Sequence, residues 1–286
     1  MYDMNMTNLT IRPMSREQID IGIDWAAAEG WNPGLHDADS FVIADPDGFL
    51  VGLLGDEPVG MISAVRYGRT FGFIGFYIVR PAFRGRGYGL TLWRVGMQAL
   101  SGRLVGLDGV VAQQDNYRRS GFVLAYNNVR FEGVPGRSAK ADKAIVPLAQ
   151  VPLHQVLRYD ADFFTDERAS FLSSWIAQRG STALGVVRAG SLAGYGVIRP
   201  CRAGFKVGPL FADDAELAER LLRALVAHVP RGSRIQLDIP AVNPAAVELV
   251  AAHGMVPVFE TARMYSGTAP ALAIDRLYGV TTFELG

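Results

Sequence analysis

Residues 70–100 read TFGFIGFYIVRPAFRGRGYGLTLWRVGMQAL, and this stretch decides the fold. Residues 73–79 are apolar, aromatic and β-branched, the composition of a buried strand. Pro81 stops it. Gly85, Gly87 and Gly89 follow at alternate positions, interleaved with Arg84 and Arg86. Beyond them the apolar period lengthens to that of a helix, with Leu90, Trp93, Met97 and Leu100 on one side. Strand, glycine turn and helix in this order make an anion-binding unit. The first N–H groups of a helix have no partner within it, and the dipole there favours negative charge. Glycines admit a phosphate to close approach and allow the positive φ of a tight turn. Arg80, Arg84 and Arg86 add positive charge.

Two common phosphate motifs do not fit. Leu90 stands where the dinucleotide fingerprint needs its last glycine, and Gly89 is followed by Leu90 and Thr91 rather than the Lys-Ser/Thr of a P-loop. An exposed arginine-glycine turn and an arginine-rich nucleic-acid contact are the plain alternatives. The strand before the loop and the amphipathic helix after it favour a cofactor site. Arg84, Gly87 and Gly89 fit the R/Q-x-x-G-x-G/A signature of the GNAT acyltransferases, and the stretch resembles their acetyl-CoA pyrophosphate loop.

The rest of the chain bounds this reading. Its 286 residues suffice for one large or two ordinary domains, and 49% apolar with 20% charged residues is a globular composition. Equal numbers of basic and acidic residues give zero formal charge, which argues against a broad basic face for nucleic acid or an anionic membrane. One cysteine, Cys201, excludes an intrachain disulfide and reads as a core thiol, and the four histidines are too scattered for a spaced metal motif. No metal is expected. The opening residues lack the basic and apolar segments of a signal peptide, and no run of about 18 apolar residues suggests a membrane span. A cytoplasmic protein is expected.

Residues 1–7 read as a frayed leader and 9–12 as a first strand. Ser15 with Gln18 forms a capping box for a helix to about residue 28. Residues 29–39 form a loop rich in proton-moving groups. Residues 49–54 and 59–67 make a hairpin that leads into the strand of the opening stretch. After the glycine-loop helix come a strand at 103–111, a short helix at 116–121 ending at Gly121, and a strand at 122–129. This order is similar to the GNAT core.

Within it, Tyr117-Arg118-Arg119-Ser120-Gly121-Phe122 resembles the family's Y-x-x-x-G-F segment, which implies that Tyr117 stands beside the thioester sulfur as general acid. A phenol, with a pKa of about 10, is protonated at pH 7 and can supply a departing thiolate with a proton. A tyrosine packed at a helix end with its hydroxyl hydrogen-bonded is the plain alternative. The family's asparagine seven residues earlier is here Val110; Gln113 or Gln114 is the candidate substitute. The resemblance also implies that backbone groups of Ile78 and Val79 pair with pantetheine, and that Arg84, Gly85, Arg86, Gly87, Tyr88 and Gly89 hold the pyrophosphate.

The second half repeats the first. Gly185, Arg199, Gly208 and Gly254 each lie 133 positions beyond Gly52, Arg66, Gly75 and Gly121, the difference between 185 and 52, and the hairpin recurs at 183–199. At the corresponding positions Arg84, Gly87, Gly89 and Tyr117 become Leu217, Arg220, Leu222 and Val250, while Asp213 and Asp214 open the helix. Carboxylates cap a helix well but repel a pyrophosphate. Asn243 stands at a second expected helix start. The chain resembles tandem-GNAT proteins with a degenerate second copy. The resemblance implies two α/β domains, each a mixed, mostly antiparallel twisted sheet flanked by helices: 8–134 binding acetyl-CoA, a linker at 135–150, and 151–286.

The resemblance implies an N-acyltransferase that moves an acetyl group from acetyl-CoA to a small-molecule amine by direct attack. Because an alkylammonium is protonated at pH 7, a base is needed; Glu29, His36, Asp37 and Asp39 are candidates, with Glu29 preferred. The second half walls the acceptor cleft, forms a homodimer contact or stabilises the first. Arg263, Tyr265 and Trp175 are its candidates for the cleft, with packing as the default. An acyl-CoA-binding sensor or scaffold without turnover is the alternative function.

Overall fold

The computed structural model describes residues 9–136 and 142–286, so the expected leader at 1–7 lies outside the described residues. β1 (Leu9–Pro13) leads to α1 (Arg16–Ala28), which starts with the reciprocal Ser15–Gln18 capping box. Then come α2 (Asp37–Ala44), β2 (Phe49–Leu54), β3 (Glu57–Tyr67), β4 (Phe71–Val79), α3 (Tyr88–Ala99), β5 (Leu104–Val110), α4 (Gln114–Arg119) and β6 (Val123–Gly133). The second half runs β7 (Ile145–Pro147), α5 (Leu153–Asp160), α6 (Ala169–Ile176), β8 (Thr182–Arg188), β9 (Ser191–Pro200) and β10 (Phe205–Ala212). It closes with α7 (Ala215–Ala227), β11 (Ile235–Pro240), α8 (Pro244–Ala252), β12 (Val256–Tyr265) and β13 (Leu277–Gly279). Element for element, β7 to β12 repeat β1 to β6. Among the described residues only β13 has no counterpart.

Two starts in the second half follow local chemistry. Asp214 caps α7 by accepting the Leu217 N–H at 2.9 Å, and Asn243 caps α8 by accepting from Ala245 and Ala246. Ile145–Pro147, inside the expected linker, is an edge strand against β8, too short for its alternation to stand out in the sequence.

All strands share one 13-stranded sheet, in the order β1-β2-β3-β4-β5-β12-β6-β11-β10-β9-β8-β7, with β13 against β10. The two halves therefore exchange their last long strands. Among the described residues β6, which the sequence places in the first domain, pairs with β11 and β12 alone, and β12 lies against β5. The exchange carries two reciprocal ion pairs between residues directly opposite in register. Arg130 of β6 binds Asp238 of β11 at 2.6 and 2.7 Å; Arg263 of β12 binds Asp108 of β5 at 2.8 and 2.6 Å. All four side chains are buried, so the net gain of each pair is small, but a slipped register would strand a charge.

Apolar packing crosses the halves as well. Phe41 of α2 stacks on Trp175 of α6 with ring centres 6.0 Å apart, and Phe164 meets Tyr67 at 4.7 Å. Phe41 and Trp175 are fully buried, a contribution of about 1.5–3 kcal/mol for each large apolar side chain. Cys201 is buried too. Among the described residues no helix is long and apolar enough to cross a membrane.

Candidate active site

β4 and β5 pair in parallel only from Phe71 to Ile74, against Leu104 to Leu107, and then part. The register between β3 and β4 shifts at this point, and Phe76 takes a φ of 44°. Such a backbone costs a bulky residue on the order of 1–3 kcal/mol, and it turns the end of β4 away from its neighbour. Between the separated strands lies a cavity of about 590 Å³.

The glycine loop closes one end of it. Gly85 and Gly87 have φ of 76° and 83°, and Gly87 is the N-cap of α3. Open space surrounds both, so glycine is needed there for conformation, not for room. Gly89 differs: a Cβ would lie 2.8 Å from the Tyr77 hydroxyl. Leu90, expected on the buried face of α3, is instead 53% exposed and lines the cavity, while Leu92 takes its place in the core.

Most of the expected site residues meet in this one space. Ile78, Val79, Arg84, Gly85, Gly87 and Gly89 line it, as do Gln113, Tyr117 and Glu29. Arg86 and Tyr88 do not; the Arg86 guanidinium lies over the Phe83 ring. Arg80 also turns away, to Glu57 at 3.1 Å. Arg84 donates Nε–H to the Val79 carbonyl at 2.8 Å and pairs with Glu29 through Nη2. Of the other candidate bases, Asp37 is locked by Arg199, Gln178 and the Gly34 N–H, and Asp39 by Arg16. These two and His36 do not line the cavity.

Tyr117 lines the cleft, 7% exposed, its ring against Trp93. Gly109 makes room for it, since a Cβ there would lie 2.2 Å from the ring. The hydroxyl has no protein partner among the described residues. Burial, reinforced by Tyr77, pushes its pKa up to about 12, so the phenol keeps its proton at pH 7.

Several cavity residues were not singled out from the sequence. Trp31, Phe76, Phe259 and Phe283 supply aromatic walls, and Asp108, Thr261 and Glu284 supply polar groups. Phe259, Thr261, Phe283 and Glu284 come from the second half, so it does wall the cleft. Arg263, Tyr265 and Trp175 do not: Tyr265 and Trp175 are core residues and Arg263 holds Asp108. The hydroxyl of Thr261 is buried and unpartnered, which would have been a signal only once β12 was known to reach β5. Asp108 accepts from Arg263 and from Asn128 at 2.8 Å, yet burial holds its pKa above the usual carboxylate range.

The matching gap in the second half is filled by the chain itself. β13 pairs with β10 at Leu210 and Phe211, and the next N–H, of Val280, donates to the Asp238 carbonyl of β11 at 2.8 Å. The chain then continues as residues 280–286 into the first half, where the Glu284 carbonyl lies 2.0 Å from where a Gly75 Cβ would be. In the first half the same gap is open, strand-sized, and headed by left-handed glycines, a helix N-terminus and Arg84. These groups fit a pantetheine chain ending in a pyrophosphate. Among the described residues no group of three or more His, Cys, Asp or Glu is placed to hold a metal ion.

Comparison with known proteins places both halves. A model of the acetyltransferase (GNAT) family matches residues 14–122, and a model of an acetyltransferase (GNAT) domain matches 156–279. The holothin acyltransferase of Pseudoalteromonas sp. (strain SANK 73390) is 31% identical over 277 residues, which is 97% of this chain and 94% of that protein. The crystal structure of a proposed acetyltransferase from Pyrococcus horikoshii is 26% identical, with a TM-score of 0.84 over 100% of this chain and 99% of that one. A tandem GNAT protein from the clavulanic acid biosynthesis pathway shares the fold, with a TM-score of 0.62 at 16% identity over 92% of this chain and 100% of that one.

Proposed function

The chain belongs to the GNAT acetyltransferase family, and on that premise we propose that it moves an acetyl group from acetyl-CoA to the amine of a small molecule by direct attack. The observation that carries the reading is convergence: the glycine loop, the free edge of β4 and the Tyr117 hydroxyl open on one cavity. Acetyl-CoA supplies the activated acyl group. Arg84 and the first turn of α3 hold its pyrophosphate, and Ile78 and Val79 align the pantetheine along β4. Tyr117 provides the proton that the departing sulfur requires. Trp31, Phe76, Phe259 and Phe283 make the acceptor side aromatic, which suits a small, flat molecule better than a protein chain. The similarity to a holothin acyltransferase makes holothin the first acceptor to test.

The test pairs binding with turnover. With acetyl-CoA as donor and holothin plus a panel of small amines as acceptors, free-thiol release reports transfer, and calorimetry reports acetyl-CoA binding. Tyr117→Phe should lower kcat by roughly 10²-fold with the Kd for acetyl-CoA unchanged. A wild type that binds acetyl-CoA, transfers to nothing and matches Tyr117→Phe would leave the sensor reading in place.

A further inference from the structure

Resting on that reading, we propose that Glu284, delivered by the second half, is the base that takes the acceptor's proton in the first half's cleft. Three acidic residues line the cavity: Glu29, Asp108 and Glu284. Glu29 is paired with Arg84 at the pyrophosphate end. Asp108 is gripped at both oxygens by Arg263 and at one of them by Asn128. Glu284 alone has no ion-pair partner among the described residues. Its Oε2 accepts from the Thr282 hydroxyl, which leaves Oε1 without a protein partner. At 4% exposure the residue is largely shielded from bulk solvent.

Its placement suits the role. The Glu284 backbone crosses β4 at Gly75, where the strands begin to part, and any Cβ at 75 would collide with its carbonyl. Glu284 lines the cavity together with Gly75, Ile78 and Val79 and the aromatic residues Trp31, Phe76, Phe259 and Phe283. Arg130, Arg199 and Lys206 lie near enough to feel its charge, but none is within ion-pairing distance. The segment is held in place from both directions: Val280 is bonded to Asp238, and the Leu285 carbonyl accepts from the Tyr67 hydroxyl at 3.1 Å. In the transfer, Glu284 accepts the proton that the acceptor nitrogen loses as it bonds to the acyl carbon. Tyr117 gives its own proton to the sulfur as the carbon–sulfur bond breaks, and solvent returns a proton from Glu284 to Tyr117. The products are an amide and a thiol.

Glu284→Gln tests the assignment, because glutamine still accepts from Thr282 but cannot hold the transferred proton. Thiol release from acetyl-CoA is followed with holothin, with the amine panel and with no acceptor, since attacking water must lose a proton to the same group. Acetyl-CoA binding is measured by calorimetry, and folding by thermal unfolding. The expected result is a loss of 10²-fold or more in thiol release, an acetyl-CoA Kd within twofold of wild type, and partial rescue by Glu284→Asp. A folded Glu284→Gln that keeps thiol release within threefold of wild type overturns the assignment and leaves the transferase intact. A wild type that releases no thiol under any condition overturns the transferase reading and this assignment with it.

Discussion

The two halves of this molecule have the same elements in the same order, and they differ where a cofactor would lie. In the first half the gap between β4 and β5 is open; in the second, β13 fills the gap between β10 and β11. In the first, α3 starts at a left-handed glycine; in the second, α7 starts at the carboxylate of Asp214. The position of Arg84 is held by Leu217, which is buried. The core survives this exchange because it depends on apolar alternation, while cofactor binding depends on a handful of positions. The second half has not become idle, since Phe259, Thr261, Phe283 and Glu284 complete the first half's cleft.

The largest effect should come from breaking what joins the halves. Arg130→Met leaves Asp238 buried without its partner and should destabilise the protein by about 3–5 kcal/mol in urea unfolding. Because β6 and β12 are shared, the loss should appear in a single transition, with both halves unfolding together. Two separated transitions would mean that the exchanged strands do not couple the halves. The mirror substitution Arg263→Met should cost less, because Asp108 keeps its hydrogen bond from Asn128 and burial already biases it toward the neutral form, whereas Asp238 is held ionised by its arginine.

How much of this was legible follows from what each signal depends on. The β4–loop–α3 unit, the Ser15 capping box and the Asn243 cap are local chemistry, and each stands where the sequence put it. The exchange of β6 and β12 was not legible. Alternation specifies which face of a strand is buried but not which neighbour it pairs with, and in a duplicated chain the last strand of either half fits the place beside β5 or β11. Every residue that reaches the cleft from the second half depends on that exchange or on the path of 280–286. Leu90 was misplaced for a smaller reason: at the first turn of α3 its period matches the core face, but the parting of β4 and β5 leaves nothing there to pack on.

A sharper comparison makes the first half resemble the second at one position. Arg84→Leu installs the residue that Leu217 represents. Because the Arg84 side chain is 51% exposed, unfolding should be nearly unchanged. Removing a charged hydrogen-bond donor to phosphate should cost roughly 1.5–3 kcal/mol, or about 10- to 100-fold in the acetyl-CoA Kd measured by calorimetry. Unchanged affinity would move the pyrophosphate off this loop.

The smallest effect, and the only gain, is expected from Glu29→Gln. In the structure the Glu29 carboxylate pairs with Arg84, so on the proposed reading a pyrophosphate would compete with it for one guanidinium. With Arg84 51% and Glu29 31% exposed, solvent weakens that pair to less than about 1 kcal/mol. Glutamine removes the competing charge and leaves a neutral side chain of the same shape. Acetyl-CoA should then bind up to a few-fold tighter, most visibly at low salt, where the charge of Glu29 is least screened. The same variant separates the two candidate bases, because kcat should hold if Glu284 takes the proton and should fall by 10²-fold or more if Glu29 does. A fall in kcat with tighter binding would place the base at the loop end of the cleft, and a fall in affinity would mean that Glu29 positions Arg84 for the phosphate instead of withholding it.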